Sequence, residues 1–127
     1  MTLFTQEWGK CRPVIMLHPL ALESTAFRSV ARLRAGRDVH TISVDLPGFG
    51  RTPGPDAPLT PACMAEPVIE LARSLATPPV VLGMSMGGRV ALEARPARFE
   101  AAPCLSAASP AAARRSKPSS ASRAASG

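Results

Sequence analysis

The chain has 127 residues, with 15 Lys and Arg against 9 Asp and Glu and a formal net charge of +6. Apolar residues at 46% and charged residues at 19% exclude wholesale disorder, and the length fits one domain with a modest core. Aromatics at 4%, with no Tyr, argue against a stacking platform for single-stranded nucleic acid, and no apolar run approaches the roughly 18 residues of a membrane helix.

From the N-terminus, Met1 to Lys10 lacks the basic and then apolar pattern of a secretory signal. Pro13 to His18 (PVIMLH) is an apolar run of strand length. Ser24 or Thr25 then caps an expected helix in which Phe27, Val30 and Ala31 share the buried face, and Gly36 suits its end. Val39 to Asp45 (VHTISVD) reads as a second strand, with β-branched residues at 39, 41, 42 and 44. A loop rich in Pro and Gly follows, from Leu46 to Pro58. Thr60-Pro61 has the form of a helix cap with proline at the first helical position. Val68, Leu71, Ala72 and Leu75 keep helical spacing, while Pro67 is expected to kink a continuous helix, so the regular part should start near it. Pro79 to Gly83 (PVVLG) is a third buried strand, and Gly88 to Ala94 opens a third helix. Alternating strands and helices imply an α/β fold: a mostly parallel sheet with flanking helices and right-handed crossovers.

The charge is uneven. Residues 1–94 carry nine basic and eight acidic residues, whereas residues 95–127 carry six basic residues and a single acid, Glu100. From residue 101 onward ten residues are Ala, seven Ser and three Pro, with Leu105 the one large aliphatic side chain. Such a composition buries too little apolar surface to offset the entropy of ordering it. Residues 1–100 are therefore expected to form a domain and residues 101–127 a disordered, low-complexity basic tail. Arg114, Arg115, Lys117 and Arg123 could neutralise phosphates, but four scattered charges without aromatics favour a solvated tail and no nucleic-acid partner. Cys11, Cys63 and Cys104 form no C-x-x-C pair and leave one thiol unpaired. That spacing argues against a disulfide framework or a metal site and fits a reducing cytoplasm.

The stretch that carries chemistry is Val80 to Leu92, which contains G-x-S-x-G as Gly83-Met84-Ser85-Met86-Gly87. A serine on a very tight strand-to-helix turn exposes its hydroxyl above the sheet, and small residues two before and two after relieve the crowding. The following helix N-terminus favours negative charge, so the Met86 N–H can donate to an oxyanion. The predicted strand before the motif and helix after it give the pattern its weight.

Two further segments precede it. Val14 to Leu20 (VIMLHPL) is a strand running into a loop, and Asp45 to Thr52 (DLPGFGRT) is similar to a D-x-P-G-x-G-x-S loop. With these three segments in this order, the chain resembles the α/β-hydrolase superfamily, near its esterases, lactonases, cofactor-free haloperoxidases and proline iminopeptidases. The resemblance spans roughly residues 8–100 and implies the N-terminal part of that fold. It makes Ser85 the nucleophile and assigns the Met86 and Leu20 N–H groups to the oxyanion hole. Proline at 19 departs from the family's glycine, although the inferred donor is the next residue. It implies a small-molecule, ester-like substrate and no metal or organic cofactor; the lack of a long apolar run argues against a membrane partner, and the oligomeric state stays open.

Around the serine, His18, Phe49 and Met84 are candidate pocket residues. Phe49 reads equally as packing under its loop, and Met84 and Met86 equally as core filler. Asp45 is expected to hold the glycine loop in place, with Gly48 and Gly50 as turn residues. The family order places an acid and then a histidine after the nucleophile. After Ser85 the sequence has no histidine, and its only acids are Glu93 and Glu100. The Ala, Arg, Ser and Pro excess beyond Glu100 resembles a GC-rich gene read out of frame, so a frameshift or truncation near Glu100 is expected. Two functional classes follow: a serine hydrolase acting through Ser85, inactive as written, and a non-catalytic fragment or pseudoenzyme. Residues 79–84 would also form an exposed apolar sheet edge, with poor solubility or dependence on a partner as the consequence.

Overall fold

Runs of β-branched and aliphatic residues place β2 (Arg12–Leu17), β3 (Val39–Val44) and β4 (Val80–Gly83) in extended backbone, and β1 (Thr5–Trp8) precedes them. The computed structural model describes residues 2–94. A 3-10 turn, Ser24–Phe27, leads into α1 (Arg28–Arg34); α2 (Pro61–Ser74) and α3 (Met86–Glu93) complete the order. The sheet runs β1-β3-β2-β4, with β2, β3 and β4 parallel and β1 antiparallel to β3. This is the expected mostly parallel α/β architecture. The chain lays β3 on one side of β2 and then β4 on the other. Such a reversal opens a crevice beyond the carboxyl ends of the strands, where α/β sheets bind ligands.

Side-chain alternation divides the sheet into two faces. Ile15, Leu17, Ile42, Val44 and Val81 pack with Val68 and Ile69 of α2 and with Val90 and Ala91 of α3 in one buried cluster. Each Val, Leu or Ile side chain buried there contributes about 1.5–3 kcal/mol of burial free energy. On β3 the intervening residues, Thr41 and Ser43, are buried and polar. Ser43 donates from its hydroxyl to the Ser24 carbonyl at 2.7 Å, whereas Thr41 Oγ1 is buried without a partner among the described residues.

Several local expectations are corrected. β1 has no apolar run to announce it; it forms because its backbone pairs residue by residue with β3, Thr5 with Val44 through Trp8 with Thr41. Pro67 does not delay the helix, since α2 is one element with Pro67 inside it. The Thr60 hydroxyl accepts from the Cys63 N–H at 3.1 Å, with Pro61 in the first turn as predicted. Buried Met64, Ala65, Pro67, Val68, Ile69 and Ala72 carry the apolar face straight across the proline, so tertiary packing outweighs the lost backbone bond. Neither Ser24 nor Thr25 caps α1; the residue before the 3-10 turn is Glu23 and the cap of α1 is Phe27. Val30 is 47% exposed, leaving Phe27 and Ala31 as the buried members of the predicted face. The left-handed backbone after α1 falls at Asp38 (φ 57), not at Gly36. The tail over residues 101–127 lies outside the described residues.

Candidate active site

The turn from β4 into α3 is made by two residues, Met84 and Ser85. Ser85 holds φ 54 and ψ −113, a region that side-chain-bearing residues enter at a cost of about 1–3 kcal/mol. Its flanking glycines explain how the turn closes. A Cβ on Gly83 would overlap the Gly87 carbonyl and the Gly88 nitrogen, and a Cβ on Gly87 would overlap the backbone of Leu17 and His18. The Met84 N–H donates to the Leu17 carbonyl at 3.1 Å, the Gly87 N–H to the Met84 carbonyl at 2.9 Å and the Arg89 N–H to the Ser85 carbonyl at 3.2 Å. Ser85 itself is exposed, and its side chain makes no capping bond to α3. The hydroxyl is thus displayed at the carboxyl rim of the sheet rather than spent on the helix. Met86 is the first residue of α3, so its N–H has no acceptor four residues back within the helix.

Beyond β2 the chain makes a tight turn, closed by the Leu22 N–H donating to the Pro19 carbonyl at 3.3 Å. Ala21 takes the left-handed conformation there, φ 66, two residues after Pro19. His18 is fully buried. Its Nε2 accepts from the Leu46 N–H at 3.0 Å, which leaves the proton on Nδ1, 2.9 Å from the Pro19 carbonyl oxygen.

The loop after β3 is held by Asp45. Its carboxylate accepts from the Ser24 N–H at 2.6 Å and from the Arg51 N–H at 2.9 Å. Burial works against the charged form, but the Arg51 N–H, the Ser24 hydroxyl and the Ser24 N–H outweigh it and hold Asp45 below the usual carboxylate range. Thr52 donates from its hydroxyl to the Asp45 carbonyl at 2.6 Å and accepts from the Phe4 N–H at 2.9 Å. Gly50, at φ 52, sits where a side chain would collide with the Asp45 carboxylate.

These segments bring Leu20, Ser85 and Met86 onto one cleft of about 340 Å³, shared with Leu59, Pro61, Met64 and Arg89. The other three candidates lie elsewhere. His18 is internal; Phe49 is half-buried, edge-on to the His18 ring at 5.3 Å. Met84 is exposed but lines a separate apolar cleft of about 310 Å³ with Met16, Leu22, Phe27 and Leu82. Sequence reasoning missed Arg89, Leu59 and Met64: only the three-dimensional meeting of α2, α3 and the β2 loop makes them neighbours of Ser85. His40 lies on β3 opposite Pro13, whereas the crevice end of the sheet is marked by Leu17 opposite Val44 and Gly83. Four strand steps, about 13 Å, separate those levels, and His40 Nε2 is engaged by Glu7 at 2.7 Å. Among the described residues no group of three His, Cys, Asp or Glu side chains is placed to hold a metal ion, and no helix is long and apolar enough to cross a membrane.

Compared with known proteins, residues 14–126 match the model of the alpha/beta hydrolase family. The chain belongs to that family. The match runs past residue 100, where the recognisable motifs of this alpha/beta hydrolase stop. It is 34% identical over 117 residues to the AB hydrolase superfamily protein YisY of Bacillus subtilis (strain 168), covering 87% of this chain and 43% of YisY. Among solved structures it is similar to a thermophilic esterase from Thermogutta terrifontis, with a TM-score of 0.68 and 28% identity over 77% of this chain and 36% of the esterase. The esterase EaEST from Exiguobacterium antarcticum gives a TM-score of 0.67 and 28% identity, over 72% and 35% of the two chains. This alpha/beta hydrolase therefore spans about two fifths of the length of these relatives.

Proposed function

We infer that Ser85 is the nucleophile of a serine hydrolase acting on small ester, thioester or lactone substrates. The observation that carries this reading is the left-handed Ser85 backbone between Gly83 and Gly87, which aims a free hydroxyl into a cleft shared with Leu20 and Met86. Two relatives of 28% identity that are esterases supply the substrate class. Ser85 Oγ attacks the carbonyl carbon, and the carbonyl π electrons move onto oxygen as the tetrahedral centre forms. The N–H groups of Met86 and Leu20 donate to that oxyanion. Collapse expels the alcohol or thiol, which must take up a proton, and leaves an acyl-serine for water to hydrolyse.

The Ser85 proton needs an acceptor. Both nitrogens of His18 are engaged in the loop it supports, and His40 sits at the opposite rim with Glu7. No histidine follows Ser85 in the 127 residues. General-base assistance contributes about 10²–10⁴-fold, so these residues alone are proposed to turn over poorly, as a scaffold holding a displayed but unassisted serine. The second reading, a non-catalytic binding fragment, rests on the same observation.

Labelling with a fluorophosphonate decides between them, with Ser85→Ala as control. Slow labelling of the 127-residue chain that is lost in S85A is expected, and no labelling above the S85A background favours the non-catalytic fragment. Rapid stoichiometric labelling that disappears in S85A would show that a base is already in place and overturn the inactivity.

A further inference from the structure

The cleft beside Ser85 is apolar on most of its wall, through Leu20, Leu59, Pro61, Met64 and Met86, and among the described residues Arg89 is its one charged lining residue. Arg89 lies four residues after Ser85 on α3, and its N–H donates to the Ser85 carbonyl. Helical side chains lean toward the N-terminus, so a residue at this spacing covers the turn that starts at Ser85. Arg89 is exposed, and among the described residues its guanidinium has no ion pair or hydrogen bond. The nearest acid along α3, Glu93, follows at the helix end without an ion pair to it among the described residues. An unpaired guanidinium presents a fork of donors suited to a carboxylate, and the apolar wall beside it suits the carbon chain that would carry one.

We propose that Arg89 makes this cleft a carboxylate subsite, so that the preferred substrate is an ester bearing a carboxylate a few carbons from the scissile carbonyl. The apolar wall takes the intervening methylenes and Arg89 takes the anionic end. This rests on Ser85 as the nucleophile for its catalytic meaning, while the subsite itself requires only the cleft.

The test uses the full 127-residue chain with pentanoate and its neutral counterpart pentanamide, followed by amide NMR shifts of Ser85, Met86 and Arg89. Pentanoate is expected to bind on the order of tenfold more tightly than pentanamide, with the preference weakening as salt rises. Arg89→Gln should erase the preference, and Arg89→Lys should retain part of it. Equal binding of the two ligands, or a preference that survives R89Q, overturns the subsite. Fluorophosphonate labelling separates the two ideas: preference without labelling removes the nucleophile and keeps the subsite, and labelling without preference does the reverse.

Discussion

The ring of His18 accepts a hydrogen bond from the Leu46 N–H at 3.0 Å, tying together two loops 28 residues apart in sequence. Both loops border the crevice at the carboxyl ends of β2 and β3. A buried ring thus joins them from inside the protein, beside the Ser24–Asp45 bond that ties the same two stretches of chain.

Replacing His18 with Phe keeps the ring but leaves the buried Leu46 N–H without its acceptor. The expected cost is about 1–3 kcal/mol, read as a lower urea midpoint with an unchanged slope. An unchanged midpoint would show that the bond contributes nothing.

Asp45 is held below the usual carboxylate range because the N–H bonds from Arg51 and Ser24 outweigh its burial. A carboxylate with a depressed folded pKa stabilises above its unfolded value, near 3.9, and the contribution is lost as pH falls through the lower folded value. The wild-type urea midpoint should fall more steeply than that of Asp45→Asn between about pH 5 and pH 2. At neutral pH, D45N should cost about 2 kcal/mol. Parallel pH profiles would refute this role.

Much of this fold is legible in the sequence because its signals are local. The strands at Val14 and Val80, the Thr60-Pro61 cap and the glycines around Ser85 each act within a few residues, and each falls where the spacing places it. What is illegible depends on partners distant in the chain. β1 exists through its pairing with β3, and Pro67 is tolerated because a continuous apolar face overrides its local preference. Ser24 reads as a cap, yet its N–H is drawn to Asp45 and its hydroxyl accepts from the Gln6 amide at 2.9 Å. In the candidate site, Ser85, Met86 and Leu20 are recoverable from the motifs, while Arg89 requires the cleft itself to be seen.

Gly87→Ala should be among the most destabilising single-atom additions in the described residues, since its Cβ would overlap the Leu17 and His18 backbone. Backbone cannot rotate away as a side chain can. A loss of about 2–3 kcal/mol is expected, measured by denaturant unfolding. A loss below about 0.5 kcal/mol would mean that α3 slides freely over β2.

Ser85→Gly is expected to stabilise the fold by about 1 kcal/mol, because glycine adopts the left-handed backbone at this turn without strain. The same change should abolish fluorophosphonate labelling. A destabilised S85G would indicate that the turn is not held under strain.

The seating of Gly87 against the end of β2 has a mechanical consequence. Leu20 reaches the cleft from one part of the chain and Met86 from another, yet the two segments meet through a glycine with no slack between their backbones. Helix α3 and the end of β2 are therefore seated backbone against backbone, so a shift of either is passed to the other and to the gap between the two N–H groups. On the Leu20 side that gap is bounded by the Pro19–Leu22 turn, closed by one backbone hydrogen bond of 3.3 Å, so a change in the length of that turn would reshape the opening.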